Sequence, residues 1–313
     1  MKAVVIHRFG GPEVLEIVEL EAPEPAADQV RIRVKAAPVN PVDIATRAGW
    51  LAQDGLMTAN GQIGIGWDLA GVIDAVGPGT NRYKAGDPVI GMRSLLSAPI
   101  GAQAEYVVLG TDAIAPAPHT VSPIDASTIP LNGLAAAQAL DLLALRAGQW
   151  LLVTGAAGAL GGFALQLAAL RGLRTVGLSS PADETLVRAS GADEFVARTE
   201  DVGNAVRRLV ARGVDGVLDA AVIGVAAHEA LSDGGAFVAV SAGAAPIPLR
   251  GTRVHNVWIR PDAPRLAELA ALVDAGRLTL HVAGTQPLDD VVSAHERVAA
   301  GGARGRIVLQ PTG

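Results

Sequence analysis

Two stretches carry residue types and spacing that could do chemistry. The first is Gly155-Ala-Ala-Gly158-Ala-Leu-Gly161, which follows the strand-like run QWLLVT and opens a helix-like run. Glycine at the first position permits a tight turn, at the second it lets backbone approach a phosphate, and at the third it lets helix and strand pack closely. The free N–H groups and positive end of the following helix suit a pyrophosphate, so this stretch predicts a dinucleotide site. The second is Trp67-Asp68 inside GIGWDLAGVID. An acid in that apolar run is a metal-site remnant, a catalytic acid or a structural residue.

The strand after the glycine turn, LRTVGL, bears on which dinucleotide is bound. It ends at Leu178-Ser179-Ser180, where NAD-binding sheets place an acid for the ribose hydroxyls. Two serines and no acid favour the 2′-phosphate of NADPH. Asp183 and Glu184 are assigned to the start of the next helix, where acids suit the dipole. The phosphate must then find its cation elsewhere. Arg198, after the strand EFVA, either reaches it or is a solvated surface arginine.

The elements that must position these residues fall into two textures. The first third is β-rich: KAVVIH, EVLEIVEL, QVRIRVKAA, GVIDAVG and, over Ala102–Leu109, AQAEYVVL, separated by glycine- and proline-rich turns. From about residue 124 the pattern becomes helix, then strand and helix in short alternation, as in a doubly wound parallel sheet. The tail carries two amphipathic helices, a short strand and the closing strand RGRIVLQ, which suggests a return to the first domain. The expected domains are residues 1–118, 119–261 and the returning 262–313.

Composition narrows the partners. Of the 313 residues half are apolar and 18% charged, enough for a packed core. A net charge of −6 without a basic block, and only 3% aromatics, argue against nucleic acid or an anionic membrane. The uncharged segment Trp150–Leu170 is long enough to span a bilayer, yet four glycines fall between 155 and 162, so it reads as buried strand plus buried helix. The N-terminal MKAVVIHRFGGPE turns charged too early for a secretory signal, and a cytoplasmic location is expected. No cysteine is present, which excludes disulfides, thiolate catalysis and cysteine-ligated zinc. The histidines, His7, His119, His228, His255, His281 and His295, lack ligand spacing, and no metal is expected. His295-Glu296 reads as a surface pair on an amphipathic helix.

End to end, the chain resembles the zinc-free branch of the medium-chain dehydrogenase/reductase superfamily, the quinone oxidoreductase-like proteins. The resemblance rests on KAVVIHRFGGPEVLEIVE, Asn40-Pro-Val-Asp43, GWDLAGVIDAVGPGTNRYKAGDPVIGM, AEYVV, GAAGALGG, SGADEFV, LDAA, VSAG and RGRIVL in that order. It implies an α/β protein with a GroES-like β domain in two chain segments plus an inserted Rossmann domain. It also implies NADPH, and a homodimer whose sheets join through the strand near 252–259. In zinc-dependent relatives a cysteine sits near position 40 and a Gly-His-Glu triplet fills the opening stretch; here Asn40 and Trp67 stand in those places. The resemblance points to Asn40 and Asp43 at the catalytic centre. It points to Asn40, Pro41, Thr128, Gly155, Ala156, Gly158, Ala159, Leu160, Ser179, Ser180, Arg198, Val222, Ser241, Ala242, Gly243 and Arg304 as cofactor-binding. Asp43 is read as holding its loop rather than acting as an acid, a role that would need a pKa raised by burial. Asp68 is read as fixing its strand and the neighbouring loop.

Without a metal, the chemistry must be hydride transfer carried by the nicotinamide itself. A quinone or an α,β-unsaturated carbonyl suits this, because the charge spreads onto a carbonyl oxygen. Many relatives carry a tyrosine, a threonine and a tyrosine where this chain has Ala45, Ala135 and Ala137. Tyr83 and Tyr106 are assigned to packing, leaving water or the cofactor ribose as proton source. The three alanines mean either a roomier cleft for a bulky substrate or the drift of an alanine-rich chain. The expected activity is a zinc-independent NADPH-dependent reduction of a quinone or enone. An enoyl reductase acting on a carrier-bound or polyketide intermediate, and an NADPH-binding structural or regulatory protein with little turnover, are the alternatives.

Overall fold

The computed structural model describes residues 1–58, 61–94, 96–241, 243 and 245–311. They form two compact units, Met1–Leu131 with Arg260–Gly313, and Asn132–Ile259. The first unit opens with β1 (Lys2–Ile6), β2 (Glu16–Glu19), β3 (Gln29–Val39), β4 (Ile63–Gly64), β5 (Asp68–Val76), β6 (Pro88–Met92), β7 (Tyr106–Gly110) and β8 (Ile114–Pro116). In β3, Val30, Ile32, Val34 and Ala36 are buried while Arg31, Arg33 and Lys35 between them are partly exposed. That is the two-residue period of a half-buried strand. The expected strand over 102–109 starts only at Tyr106, because the amides of Ala102 and Gln103 turn to the carbonyls of Gly66 and Ile65, each at 2.9 Å. β6 is hidden in the sequence by Pro88 and Gly91. The proline is tolerated because it is the strand's first residue.

The helix Ile129–Leu143 carries the chain into the second unit. There follow β9 (Trp150–Thr154), β10 (Arg174–Ser179), β11 (Glu194–Ala197), β12 (Val214–Asp219), β13 (Leu231–Ala239) and β14 (Arg253–Asn256). They pair in parallel in the order β11-β10-β9-β12-β13-β14. This is the doubly wound arrangement, in which the strand order reverses between β9 and β12 and ligands bind beyond the carboxyl ends. Leu151, Leu152 and Val153 of β9 are all inaccessible, as expected of a strand covered on both faces. The helix Ala159–Leu170 buries Phe163, Ala164, Leu165, Leu167 and Ala168. The uncharged segment is thus a strand and a 12-residue helix, and no helix among the described residues is long and apolar enough to cross a membrane.

The chain then returns through the helix Ala263–Asp274, β15 (Val282–Pro287), the helix Val291–Ala299 and β16 (Arg306–Gln310). β16 pairs antiparallel with the end of β3, Ile307 opposite Val39, and the larger sheet of the first unit runs β15-β16-β3-β5-β6-β8, with β7 also on β3. Val291, Ala294, Ile307 and Leu309 share a core with Val4, Ile6 and Val39. Residues 119–131 fall with the first unit. Asp274 Oδ1 accepts the amides of His119 and Thr120, each at 2.9 Å, and Asp68 accepts the amide of Leu131.

Candidate functional site

In the first unit the site residues gather where β3 ends. Asn40 is extended and opens the helix Pro41–Ala48, with Pro41 at its first position, where a missing N–H costs nothing. The Asn40 amide N–H donates to Asp43 Oδ2 at 2.7 Å, so Asp43 caps its own helix. The Asn40 side-chain amide donates to Asp68 Oδ1 at 2.7 Å, and Asp68 Oδ2 accepts the Leu131 amide at 3.1 Å. Asn40, Asp43 and Asp68 are all inaccessible to solvent. Asn40 Oδ1 is buried without a hydrogen-bond partner. The capping box turns the Asn40 side chain toward the Asp43 amide without forming a hydrogen bond to it, and leaving such an acceptor empty costs about 1–3 kcal/mol.

Burial pushes Asp43 up to about 8 and Asp68 up to about 6. Hydrogen bonds from the amides of Asn40 to Asp43 and of Leu131 to Asp68 oppose the rise, and the negative charge of Asp68 adds to it at Asp43. Arg306, brought to the end of β3 by the pairing of β16, lowers both acids while its own pKa is lowered by burial. Sequence reasoning did not place Arg306 beside these acids; Arg304, expected as a cofactor contact, is exposed and donates to the Gly302 carbonyl. Thr128 is buried with its hydroxyl donating to the Asp125 carbonyl at 2.7 Å.

In the second unit the expected cofactor residues line the carboxyl ends of the parallel strands. Gly155 follows β9 with φ +61°, a left-handed conformation open to glycine. Gly158 precedes the helix, which starts at Ala159 and Leu160 with no side-chain cap. A Cβ on Gly161 would lie 2.3 Å from the Gly155 carbonyl oxygen, so only glycine fits there. Ala156, buried, donates its amide to the Leu178 carbonyl at 3.1 Å and ties the turn to β10. The turn and the uncapped helix end fit a pyrophosphate.

Ser179 ends β10, Ser180 follows it, and the Arg198 amide donates to the Ser179 carbonyl at 2.7 Å, which sets Arg198 beside the serines. One acid that the sequence assigned only to a helix start also faces them. Asp183 closes the short turn Pro181–Asp183, and its buried Oδ2 accepts from the Ser179 hydroxyl at 3.2 Å. Val222 has φ +60°, an outlier for a β-branched residue. It is held there because Asp219 accepts the amides of Ile223 (3.2 Å) and Gly224 (2.7 Å), and it leaves Val222 49% exposed. Strain over-determined in this way accompanies ligand sites. Ser241 and Gly243 are exposed just beyond β13; Ala242 lies outside the described residues.

His295 corrects the sequence reading. It is fully buried, not on the surface, because the helix Val291–Ala299 turns it inward with Val291 and Ala294; burial pushes it down to about 3, and its Nε2 lies 3.3 Å from Gln103 Oε1. Tyr83 packs in the core with its hydroxyl on the Ile114 carbonyl at 3.2 Å, and Tyr106 stacks beneath Arg31. Ala45 and Ala135 are partly exposed, whereas Ala137 is buried at 1% and adds no room reachable from solvent. Among the described residues no group of three or more histidines or acids is placed to hold a metal.

Two family descriptions match the chain: an alcohol dehydrogenase GroES-like domain over residues 26–119 and a zinc-binding dehydrogenase over 190–309. The human quinone oxidoreductase is 30% identical, with 99% of this chain and 97% of that protein covered. Among solved structures, an NAD-dependent alcohol dehydrogenase is 31% identical with a TM-score of 0.88, both chains covered completely. A mycobacterial protein complexed with NADPH is 27% identical with a TM-score of 0.84, covering 99% of this chain and 100% of the other.

Proposed function

Because the chain belongs to the medium-chain dehydrogenase/reductase family, among its quinone oxidoreductase-like members, we propose that this oxidoreductase is an NADPH-dependent reductase of quinones or α,β-unsaturated carbonyls that works without zinc. The observation that supports the reading is Asn40: a buried side-chain amide pinned by Asp68, with an oxygen that makes no hydrogen bond within the chain. Asn40 Oδ1 accepts from a cofactor hydroxyl or amide, and Pro41 and Asp43 hold Asn40 in place. Bound nicotinamide supplies the hydride. Gly155, Ala156, Gly158, Ala159 and Leu160 hold the pyrophosphate, Val222, Ser241 and Gly243 line the cofactor, and water or the ribose returns the proton. Thr128 and Arg304 remain proposed contacts. A homodimer through β14, whose neighbour Trp258 is 60% exposed, and a cytoplasmic location complete the proposal.

For the cofactor, Ser179, Ser180 and Arg198 support NADPH, since Arg198 offers the cation that a 2′-phosphate needs. A second reading, NADH, is favoured by Asp183, which lies against Ser179 where an acid would take ribose hydroxyls. The test of zinc independence is NADPH consumption with a quinone or enone after exhaustive chelation. Undiminished turnover is expected. Activity lost on chelation and restored by zinc would overturn the metal-free reading.

A further inference from the structure

A cavity of about 440 Å³ opens in the first unit, within the range of ligand sites. Its apolar wall includes Met92, Ile100, Leu109 and Ala113, and Arg93 lines it with Ser94 and Gln29. Arg93 follows directly on β6. Its amide donates to the Trp67 carbonyl at 2.6 Å, and Met92 before it pairs with Asp68. The cavity therefore adjoins the strand pair that holds Asn40.

The Arg93 side chain is half-buried, and its Nε is buried with no hydrogen-bond partner. No carboxylate among the described residues forms an ion pair with it, and burial alone lowers its pKa. Buried charges in proteins are ordinarily paired, as Arg31 is with Asp74 and Glu24. Arg93, a lining residue with no acid paired to it among the described residues, supplies the kind of fork that holds an incoming planar anion. The polar wall has one such cation, and Asp112 also lines the cavity. A lone cation with an acid on the same wall disfavours a phosphate dianion, so the anion argued for is the monovalent, planar one that a single guanidinium can hold.

We propose that this cavity receives a carboxylate of the substrate on Arg93, so that the enone or quinone reduced is one bearing a carboxylate. The substrate assignment rests on the reductase reading above; the carboxylate site does not. Two probes separate them: trans-3-benzoylacrylate and its methyl ester, the same enone with and without the charge. The chain has no cysteine for either to alkylate. With NADPH, kcat/KM for the acid is expected to exceed that for the ester by about tenfold. Arg93→Met removes the preference through a raised KM for the acid, and Arg93→Lys retains part of it. Equal efficiencies in the unmodified protein, or a preference that survives Arg93→Met, would overturn the proposal. Should neither compound be reduced, the failure lies in turnover of this enone and not in the carboxylate site. Calorimetric titration of the acid into cofactor-free protein then decides the site. Binding that is lost in a folded Arg93→Met protein supports it, and absent or unchanged binding overturns it.

Discussion

Asn40, Asp43, Asp68 and Arg306 put two acids and a cation around one buried amide, and the acids titrate far from their ordinary values. Asp43 rises from 3.8 to about 8 on folding. The folded protein therefore keeps a proton that the unfolded chain releases across that window. The contribution of Asp43 to stability therefore falls as pH rises from about 4 to about 8, with Asp68 adding to the slope up to about 6. His295 works in the opposite sense: lowered to about 3, it costs stability as pH falls below its ordinary 6.5. Urea unfolding of Asp43→Asn, whose amide oxygen can still cap the helix, is expected to show a flatter fall in stability above pH ~6 than the unmodified protein. An unchanged slope would mean that Asp43 is ionised in the fold. The cofactor serines give a second prediction. Arg198→Ala is expected to weaken NADPH binding about tenfold and to spare NADH, while Asp183→Asn shifts preference toward NADPH; fluorescence titration with both cofactors reads each. What Asp43 holds was legible because its contact with Asn40 is local; their place at the site came from the family resemblance. Arg306, Asp183 and His295 were not legible, since strand register, a short turn and a helix's inner face decide what they meet.

The glycine turn shows how an element rather than a residue makes a binding surface. Gly155 supplies the turn, and Gly161 lets the helix sit on it. Gly161→Ala would drive a methyl into the Gly155 carbonyl at 2.3 Å and into Ala156 Cα at 2.7 Å, displacing the helix end that meets the pyrophosphate. Loss of cofactor affinity and a lowered Tm are expected. Gly162→Ala, one residue on, meets nothing within 4 Å. It is expected to leave the fold intact or to stabilise it by about 0.5–1 kcal/mol through helix propensity. Thermal melts with and without NADPH distinguish the two variants. The alternating strands and helices of the second unit were readable in the sequence because parallel strands are continuous apolar runs between turn signals. In the first unit β4, β6 and β8 were not, being short or interrupted by proline and glycine.

At the scale of the whole molecule, the chain leaves its first unit at Leu131 and re-enters it at Arg260. The closing strand then sets Arg306 against residues far earlier in sequence. The tail pattern suggested that return, but the exact handover was hidden because contacts such as that of Asp274 with Thr120 leave no periodicity. The quinone oxidoreductase-like family and the two-part fold leave one claim for the bench: that this member turns over with a nicotinamide cofactor and a conjugated carbonyl. Steady-state oxidation of NADPH and NADH, run in parallel against a panel of quinones and enones, tests it most directly. The account predicts sustained consumption of NADPH with at least one of them, faster than that of NADH. Tight NADPH binding with no turnover across the panel would contradict it.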